Sequence, residues 1–549
     1  MALGREAPAA DGNQRQLHKQ ANKLFDFIVV SNRLPAAPSP DGGMRWYSSP
    51  GGLVSALRPV VEKTAGAWVG WSGQALPSHT ASFTPSRPRS GEGAEAWRPQ
   101  SLGQEARLWE ARLWDTAAPG LVAACEPKPL SPAGEAADDQ GAPGGDEVVN
   151  AIDVPLSEEE VAAYYEGFCN ATIWPLYHDV VAPPVYSRRW WHAYVEVNHR
   201  FAAAVAAHAA PGGTVWVHDY HLQLVPALLR EVRPDLRSGF FNHIPFPAVD
   251  LFAQLPWRKE VLEGLLGADL IGFQTAGGAA NFLRACRRFA GRNARGPFVA
   301  ADGPQGRRAA RVGAFPISVD ARQLSELAKS PAVRRRARQI REELGWPEVV
   351  LLGVDRLDYT KGLLHRLRAY GELLSEGRLS PPEAVLVQVA SPSRDEVEQY
   401  KKLREEVERV VGGINGDFSP VGRPAVHYLH QSFPKEEMAA MYLAADVALV
   451  TPLRDGMNLV AKEYVACRPD QGGRLVLSEL AGAAAELREA WLVNPYDIDT
   501  MKRQVMAAVG ATREEAASRM RRMRRWVFAH DVHRWAAEFL GALAGEAGG

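Results

Sequence analysis

The stretch VVLLGVDRLDYTKG, Val349 to Gly362, runs six apolar or glycine residues without a polar break, then sets Asp355, Arg356, Asp358 and Lys361 within seven positions. A short run rich in branched residues and apolar on both faces reads as a strand buried in a parallel sheet, and the ionic cluster falls where that strand ends. The same pattern recurs in FDFIVVS (25–31), TVWVHDY (214–220), SGFFNHI (238–244), ADLIGFQ (268–274), AVLVQVAS (384–391), VALVTPL (447–453) and RLVLSEL (474–480). Between them lie segments of helical period such as LLHRLRAYGELLSEG (363–377) and RDEVEQYKKLREEVERVV (394–411). Apolar strands alternating with helices define the α/β class, with parallel sheets covered on both faces.

A chain of 549 residues exceeds what one core usually supports, so two domains are expected. Lys and Arg total 63 against 64 for Asp and Glu, and a net charge of -1 provides no global field for nucleic acid or an anionic membrane. Any anion must be held locally. Cys125, Cys169, Cys286 and Cys467 show neither zinc-site nor disulfide-framework spacing, which suits a reducing cytoplasm. Residues 1–24 are polar and lack the apolar core of a signal peptide, and no later run is long enough for a membrane span, so a cytosolic protein with a polar, disordered leader is expected.

Residues 74–145 are rich in Pro, Gly, Ala and Ser and read as a partly disordered insertion in the first domain, interrupted by EARLWEARLWDT (105–116). A second change of character at AFPISVDARQLSELAKS (314–330) marks the passage between domains. There is no short fixed repeat, which removes solenoids and propellers.

Ligands of open parallel sheets bind beyond the carboxyl ends of the strands. Arg33, Asp219, His243, Arg356, Arg394 and Asp455 all fall there, so two sheets facing one another would bring them to one gap. Arg356 and Lys361 could be solvated surface cations. Asp355 and Asp358 form a DxxD that could hold magnesium, but a neighbouring guanidinium and ammonium repel a cation and suit a diphosphate, so the favoured reading is a metal-free grip with the two acids orienting the two cations. Gly51-Gly52 and Gly456 each open an apparent helix, where free amides favour phosphate or a sugar's developing charge; the plain alternative is a helix start in a glycine-rich chain, which for Gly51-Gly52 alone explains the pattern equally well. Glu463 reads first as a carboxylate near a helix start and second as a ribose ligand. His218 and His221 lack a third metal ligand, and the aromatic cluster YYEGFCNATIWPLYH (164–178) is core by base rate. Walker A, GxSxG and GxGxxG motifs are absent, which lowers P-loop, hydrolase and dehydrogenase readings and leaves sugar transfer from a nucleoside diphosphate.

Nine strings in order carry a family resemblance: VVSNRLP (29–35), WVGWSG (68–73), NATIWPLYH (170–178), VWVHDYHLQLVP (215–226), HIPFP (243–247), GADLIGFQT (267–275), GVDRLDYTKG (353–362), VTPLRDGMNLVAKEYVA (450–466) and LVNPYD (492–497). Over residues 26–531 the chain resembles the trehalose-6-phosphate synthases, retaining glycosyltransferases of GT-B architecture. The resemblance implies two Rossmann-like domains with parallel sheets facing a central cleft: 25–320 for the acceptor, 321–525 for the nucleotide sugar, and a terminal helix at 526–549 packing back on the first. It implies that Arg356 and Lys361 hold the donor diphosphate, Gly52 covers it, Glu463 takes the ribose, and His243 and Asp455 bind the transferred glucose with Gly456, Met457, Asn458 and Leu459 behind them. Arg33, Tyr165, Trp174 and Arg394 match the pocket for glucose 6-phosphate, and Asp219 its sugar hydroxyls. Catalytic weight falls on His243, Arg356, Lys361 and Asp219, with no metal and no cofactor.

Ser432 and Met438 stand where uracil-reading members can present His and Leu, which leaves UDP-, GDP- and ADP-glucose open. Asn242, where Leu is common, is a lesser departure. The remaining alternatives are a relative with another acceptor, such as a glucosylglycerol-phosphate synthase or a pseudoglycosyltransferase, and a non-catalytic sugar-phosphate sensor. Self-association into a homo-oligomer is left open. The closing run 520–545 reads as a single amphipathic helix with a solvated basic face.

Overall fold

The computed structural model describes residues 24–38, 44–46, 57, 58, 61, 62, 64, 66–76, 125, 127–131, 149–394 and 397–545. The polar leader before Leu24, Gly51 and Gly52, and most of the 74–145 insertion, including 105–116, lie outside the described residues. The part of the insertion that is described contributes a strand, Lys128–Ser131, antiparallel to Asn150–Asp153.

Seven parallel strands form the heart of the first sheet: β1 (Phe25–Arg33), β2 (Ala67–Trp71), β3 (Asn150–Asp153), β4 (Ala209–His218), β5 (Arg237–Asn242), β6 (Leu270–Phe273) and β7 (Gly306–Ala314). Their spatial order is β7-β6-β5-β4-β1-β2-β3. β1 pairs Val29 with Trp68 on one side and Trp216 on the other. Side chains of both faces are buried in β1, β2 and β6, as continuous apolar runs require.

The second sheet is wholly parallel: β8 (Val349–Arg356), β9 (Ala384–Ser391), β10 (Val426–Leu429), β11 (Val447–Val450), β12 (Arg474–Ser478) and β13 (Trp491–Val493), ordered β10-β9-β8-β11-β12-β13. The order reverses direction at β8, so the loop after β8 sits beside that after β11, the place where an open sheet leaves a crevice. Helix Leu363–Ser375 follows β8 and buries Leu363, Leu367, Tyr370, Leu373 and Leu374, a spacing that keeps one face inward.

The chain returns to the first sheet at its end. Trp535 and Phe539 lie 5.1 and 4.4 Å from the Trp216 ring, Phe539 stacked on it, and Trp535 Nε1 donates to the Phe315 carbonyl at 3.1 Å. Gly239 of β5 and Gly272 of β6 make room, since a Cβ at either would come within 2.8 Å of the Phe539 ring. The closing run is not one helix. Helix Arg513–Ala529 ends at His530, where ψ is 57, and Val532–Ala544 begins anew with the Asp531 side chain accepting from the Arg534 amide. That cap lets the first helix stay on the second half while the second crosses over, and residue 526 falls inside a helix rather than at its start.

Among the described residues, no helix is long and apolar enough to cross a membrane, and no group of three or more His, Cys, Asp or Glu could hold a metal ion. The four cysteines are buried and unbridged.

Candidate functional site

The strand-end residues come together. Arg33 closes β1, Asp219 and His243 follow β4 and β5, and Arg356, Arg394 and Asp455 lie at or just past the carboxyl ends of β8, β9 and β11. The two halves touch there. Arg394 of the second half donates to Tyr220 Oη of the first at 3.2 Å and sits 3.9 Å over the Trp174 ring, while Arg454 pairs with Asp179 at 3.1 Å. Gly456 lies against the His243 carbonyl, which a Cβ would approach to 2.3 Å, so only glycine permits this contact between loops of opposite halves.

The loop after β8 departs from the expected ion pairing. Asp355 does not orient Arg356; it pairs with Arg366 at 2.7 Å, and Arg366 also donates to Gln388 at 2.8 Å and Thr451 at 3.1 Å, tying three adjacent strands together. Asp358 accepts from the amide and hydroxyl of Thr360 and pairs with Arg394 at 3.2 Å. Burial opposes the Asp358 charge, but Arg394, Arg356 and Lys361 hold its carboxyl well below the usual range. Lys361 Nζ pairs with Asp455 Oδ2 at 2.6 Å, and Asn458 donates to the same oxygen at 3.1 Å. Arg356 makes no ion pair among the described residues; its guanidinium is exposed, 5.4 Å from the Trp174 ring.

On the facing side, Trp174 therefore lies beside both Arg356 and Arg394, 5.8 Å from Tyr220. Tyr165 stacks on His221 at 5.9 Å, and Arg33 lies 4.5 Å over Trp71, whose ring meets Tyr165 edge-on at 6.1 Å. The aromatic cluster thus supplies both core and cleft. Residues Val161–Ile173 wind as a π-helix, with the Trp174 amide donating to the carbonyl of Cys169 five residues back.

Asp219 takes φ 75 and ψ 166, a region almost confined to glycine. It is held there by its own amide on Phe241 O at 2.8 Å and by the His243 amide on its Oδ1 at 3.1 Å. Arg394 and Asn458 also have positive φ, 55 and 74. Strain at three of these positions fits a ligand site. Burial raises the Asp219 carboxyl to about 6, opposed by the Tyr220 and His243 amides and by Arg356 and Arg394. Burial likewise lowers His243 to about 3 and His178, beside Trp174, to about 4.

Glu463 is not near a helix start. Its helix runs Leu459–Ala466 with Asn458, not Gly456, as cap, so Glu463 is the fifth residue and the macrodipole reading fails. It accepts from Tyr442 Oη at 2.8 Å, and burial raises its carboxyl. Met457 and Asn458 are both buried. Ser432 is exposed in the loop before helix Lys435–Ala444, and Met438 is half-buried within that helix and packs against the hydrophobic core. Asn242 is buried, with Nδ2 on the Ile244 carbonyl at 2.6 Å. His218 and His221 are packed among aromatic rings. Sequence reasoning missed Tyr220, Arg366 and Tyr400, whose hydroxyl accepts from Arg394 and donates to Asp358 Oδ2 at 3.0 Å. Tyr220 adjoins Asp219 at a strand end and was detectable by that rule, whereas Tyr400 and Arg366 lie inside helices whose pattern carries no such mark.

The family model described as glycosyltransferase family 20 matches residues 130–545. A trehalose-6-phosphate synthase of Mycobacterium avium is 51% identical over 526 residues, 94% of this chain and 95% of the relative. A crystal structure of an alpha,alpha-trehalose-phosphate synthase (UDP-forming) from Burkholderia xenovorans in complex with glucose-6-phosphate has 31% identity and a TM-score of 0.75, covering 94% of this chain and 100% of that one. An E. coli structure bound with UDP-2-fluoro glucose has 29% identity and a TM-score of 0.75, covering 94% and 98%.

Proposed function

This chain belongs to glycosyltransferase family 20, and we propose that it transfers glucose from a nucleoside-diphosphate glucose to glucose 6-phosphate with retention, giving trehalose 6-phosphate and the nucleoside diphosphate. The observation that carries the reading is that one ring, Trp174, lies beside two arginines of different loops, Arg356 at 5.4 Å and Arg394 at 3.9 Å. A donor diphosphate at Arg356 and an acceptor phosphate toward Arg394 would then place the two sugars side by side. Same-face transfer needs that proximity.

In the proposed step the bond from the donor's anomeric carbon to the β-phosphate oxygen breaks, the acceptor's anomeric oxygen bonds to that carbon on the same face, and its proton passes to the leaving phosphate. Arg356 and Lys361 stabilise the charge that grows on the diphosphate. Asp455 and His243 hold the transferred glucose with the backbone of residues 456–459, and Glu463 takes the ribose. Arg33, Tyr165, Trp174 and Arg394 seat glucose 6-phosphate, and Asp219 accepts from its hydroxyls. Their contribution is alignment and prepaid entropy rather than covalent chemistry. Asp355 and Asp358 already face guanidinium groups, so they are poorly disposed to bind a divalent cation.

Purified protein supplied with glucose 6-phosphate and UDP-, GDP- or ADP-glucose in parallel tests the reading, with nucleoside diphosphate release followed and the sugar product identified. Trehalose 6-phosphate is the expected product. Its absence with every donor refutes the proposal, and binding of glucose 6-phosphate without turnover would point to a sensor.

A further inference from the structure

His218, the last residue of β4, is fully buried, its ring 4.8 Å from that of Trp216. Its Nδ1 lies 3.1 Å from Nε2 of His243, the residue just past β5. Burial holds both imidazoles neutral, so each carries one proton and the contact requires one donor and one acceptor.

Only two arrangements satisfy that condition. If His243 Nε2 donates, His218 must carry its proton on its own Nε2, a fully buried atom with no partner among the described residues. If His218 Nδ1 donates, that buried Nε2 is left as a bare lone pair, and the proton of His243 sits on Nδ1. An orphaned buried N–H is the rarer and costlier defect, so the second arrangement prevails. The His243 ring makes no other hydrogen bond among the described residues, and its half-buried position leaves Nδ1 available at the cleft.

We propose that His218 is a positioning residue that fixes His243 as its Nδ1–H tautomer, so that His243 acts as a hydrogen-bond donor to a hydroxyl oxygen of the transferred sugar. The identity of that ligand rests on the glucosyl-transfer reading; the tautomer does not. The Trp216 ring packed on one side and the His243 amide tied to Asp219 on the other restrict both imidazoles to this geometry.

Long-range 1H–15N correlation spectra of the full-length protein labelled with 15N-histidine, compared across wild type, His218→Asn and His218→Leu, test the assignment. The Asn amide nitrogen lies near the site of Nδ1 and can donate; Leu cannot. The expected result is an Nδ1-protonated His243 in wild type and His218→Asn, and a tautomer mixture in His218→Leu, whose kcat falls about tenfold at unchanged KM for glucose 6-phosphate while His218→Asn largely retains turnover. An Nε2-protonated His243 in wild type overturns the proposal, as does an equal kcat loss in both variants. Should the wild type transfer no glucose at all, the functional reading fails, and the spectra still decide the tautomer. Should His218→Leu not fold, wild type and His218→Asn decide it.

Discussion

Replacing Arg356 by Ala separates folding from chemistry in a way the structure quantifies. Arg356 is exposed and has no carboxylate partner among the described residues, and its one ring contact is Trp174 at 5.4 Å. Removing an exposed cation–π contact costs about 0.5–1 kcal/mol, so the melting curve should barely move. Loss of a preorganised donor to a developing oxyanion costs about 2.7–4 kcal/mol, or roughly 10²–10³ in kcat. Arg356 also lowers the Asp219 carboxyl, so the acid limb of the rate profile should move upward in pH in the variant. Initial rates of nucleoside diphosphate release with both substrates saturating, paired with thermal denaturation of the same preparation, measure both quantities. Turnover within threefold of wild type would refute the diphosphate role, and a stability loss matching the rate loss would show that Arg356 supports the fold instead.

Arg394→Ala should behave in the opposite sense, since it strips a buried guanidinium from Asp358, whose side chain is fully buried; about 3–5 kcal/mol of stability should be lost, read in a urea titration. Asp219→Asn should abolish most transfer yet stabilise the fold at neutral pH. A carboxyl raised from 3.8 to about 6 gives stability that is complete below 3.8 and lost as pH rises through 6, so the variant should gain about 2–3 kcal/mol at pH 7.5 and progressively less toward pH 4 by calorimetry. Tyr442→Phe removes the 2.8 Å donor to Glu463, and the KM for the nucleotide sugar should rise roughly tenfold with kcat little changed; an unaltered KM would separate Glu463 from the donor site.

The eight apolar runs from 25–31 to 474–480 each contain a strand, because a strand buried on both faces must be apolar throughout and no other short element demands that. The polar residues past them were legible for the same reason: in a parallel sheet every carboxyl end points to one side. What these rules omit is pairing. Asp355 chooses Arg366 on the following helix, which Gln388 of one flanking strand and Thr451 just past the other hold in place, and Lys361 chooses Asp455 across 94 positions, because these partners depend on which strands are neighbours and that order is not written in any local window. The closing helix misled in a related way. Residues 520–545 keep a helical period through His530, and only the capping strength of Asp531 together with the glycine-lined seat for Phe539 breaks it.

The aromatic patch of Tyr165 and Trp174 shows the limit most clearly. Tyr165 and Trp174 are nine residues apart, which in an α-helix is about 900° of rotation and puts them on opposite faces. A helix closed by bonds between residues five apart winds at roughly 4.4 residues per turn, and nine residues then make about two full turns. The π-helix from Val161 to Ile173 supplies that winding, so Tyr165 stacks on His221 while Trp174 packs 5.8 Å from Tyr220, and the rings of Tyr220 and His221 are themselves 3.9 Å apart. Any reading with a 3.6-residue period assigns one of the two aromatics to the core and the other to the surface. Their convergence on one patch requires the wider winding, which costs hydrogen-bond geometry along thirteen residues and is repaid by burial of Tyr164, Phe168, Cys169 and Ile173 on the inner side. The segment therefore fixes the spacing of Tyr165 and Trp174 before any ligand arrives.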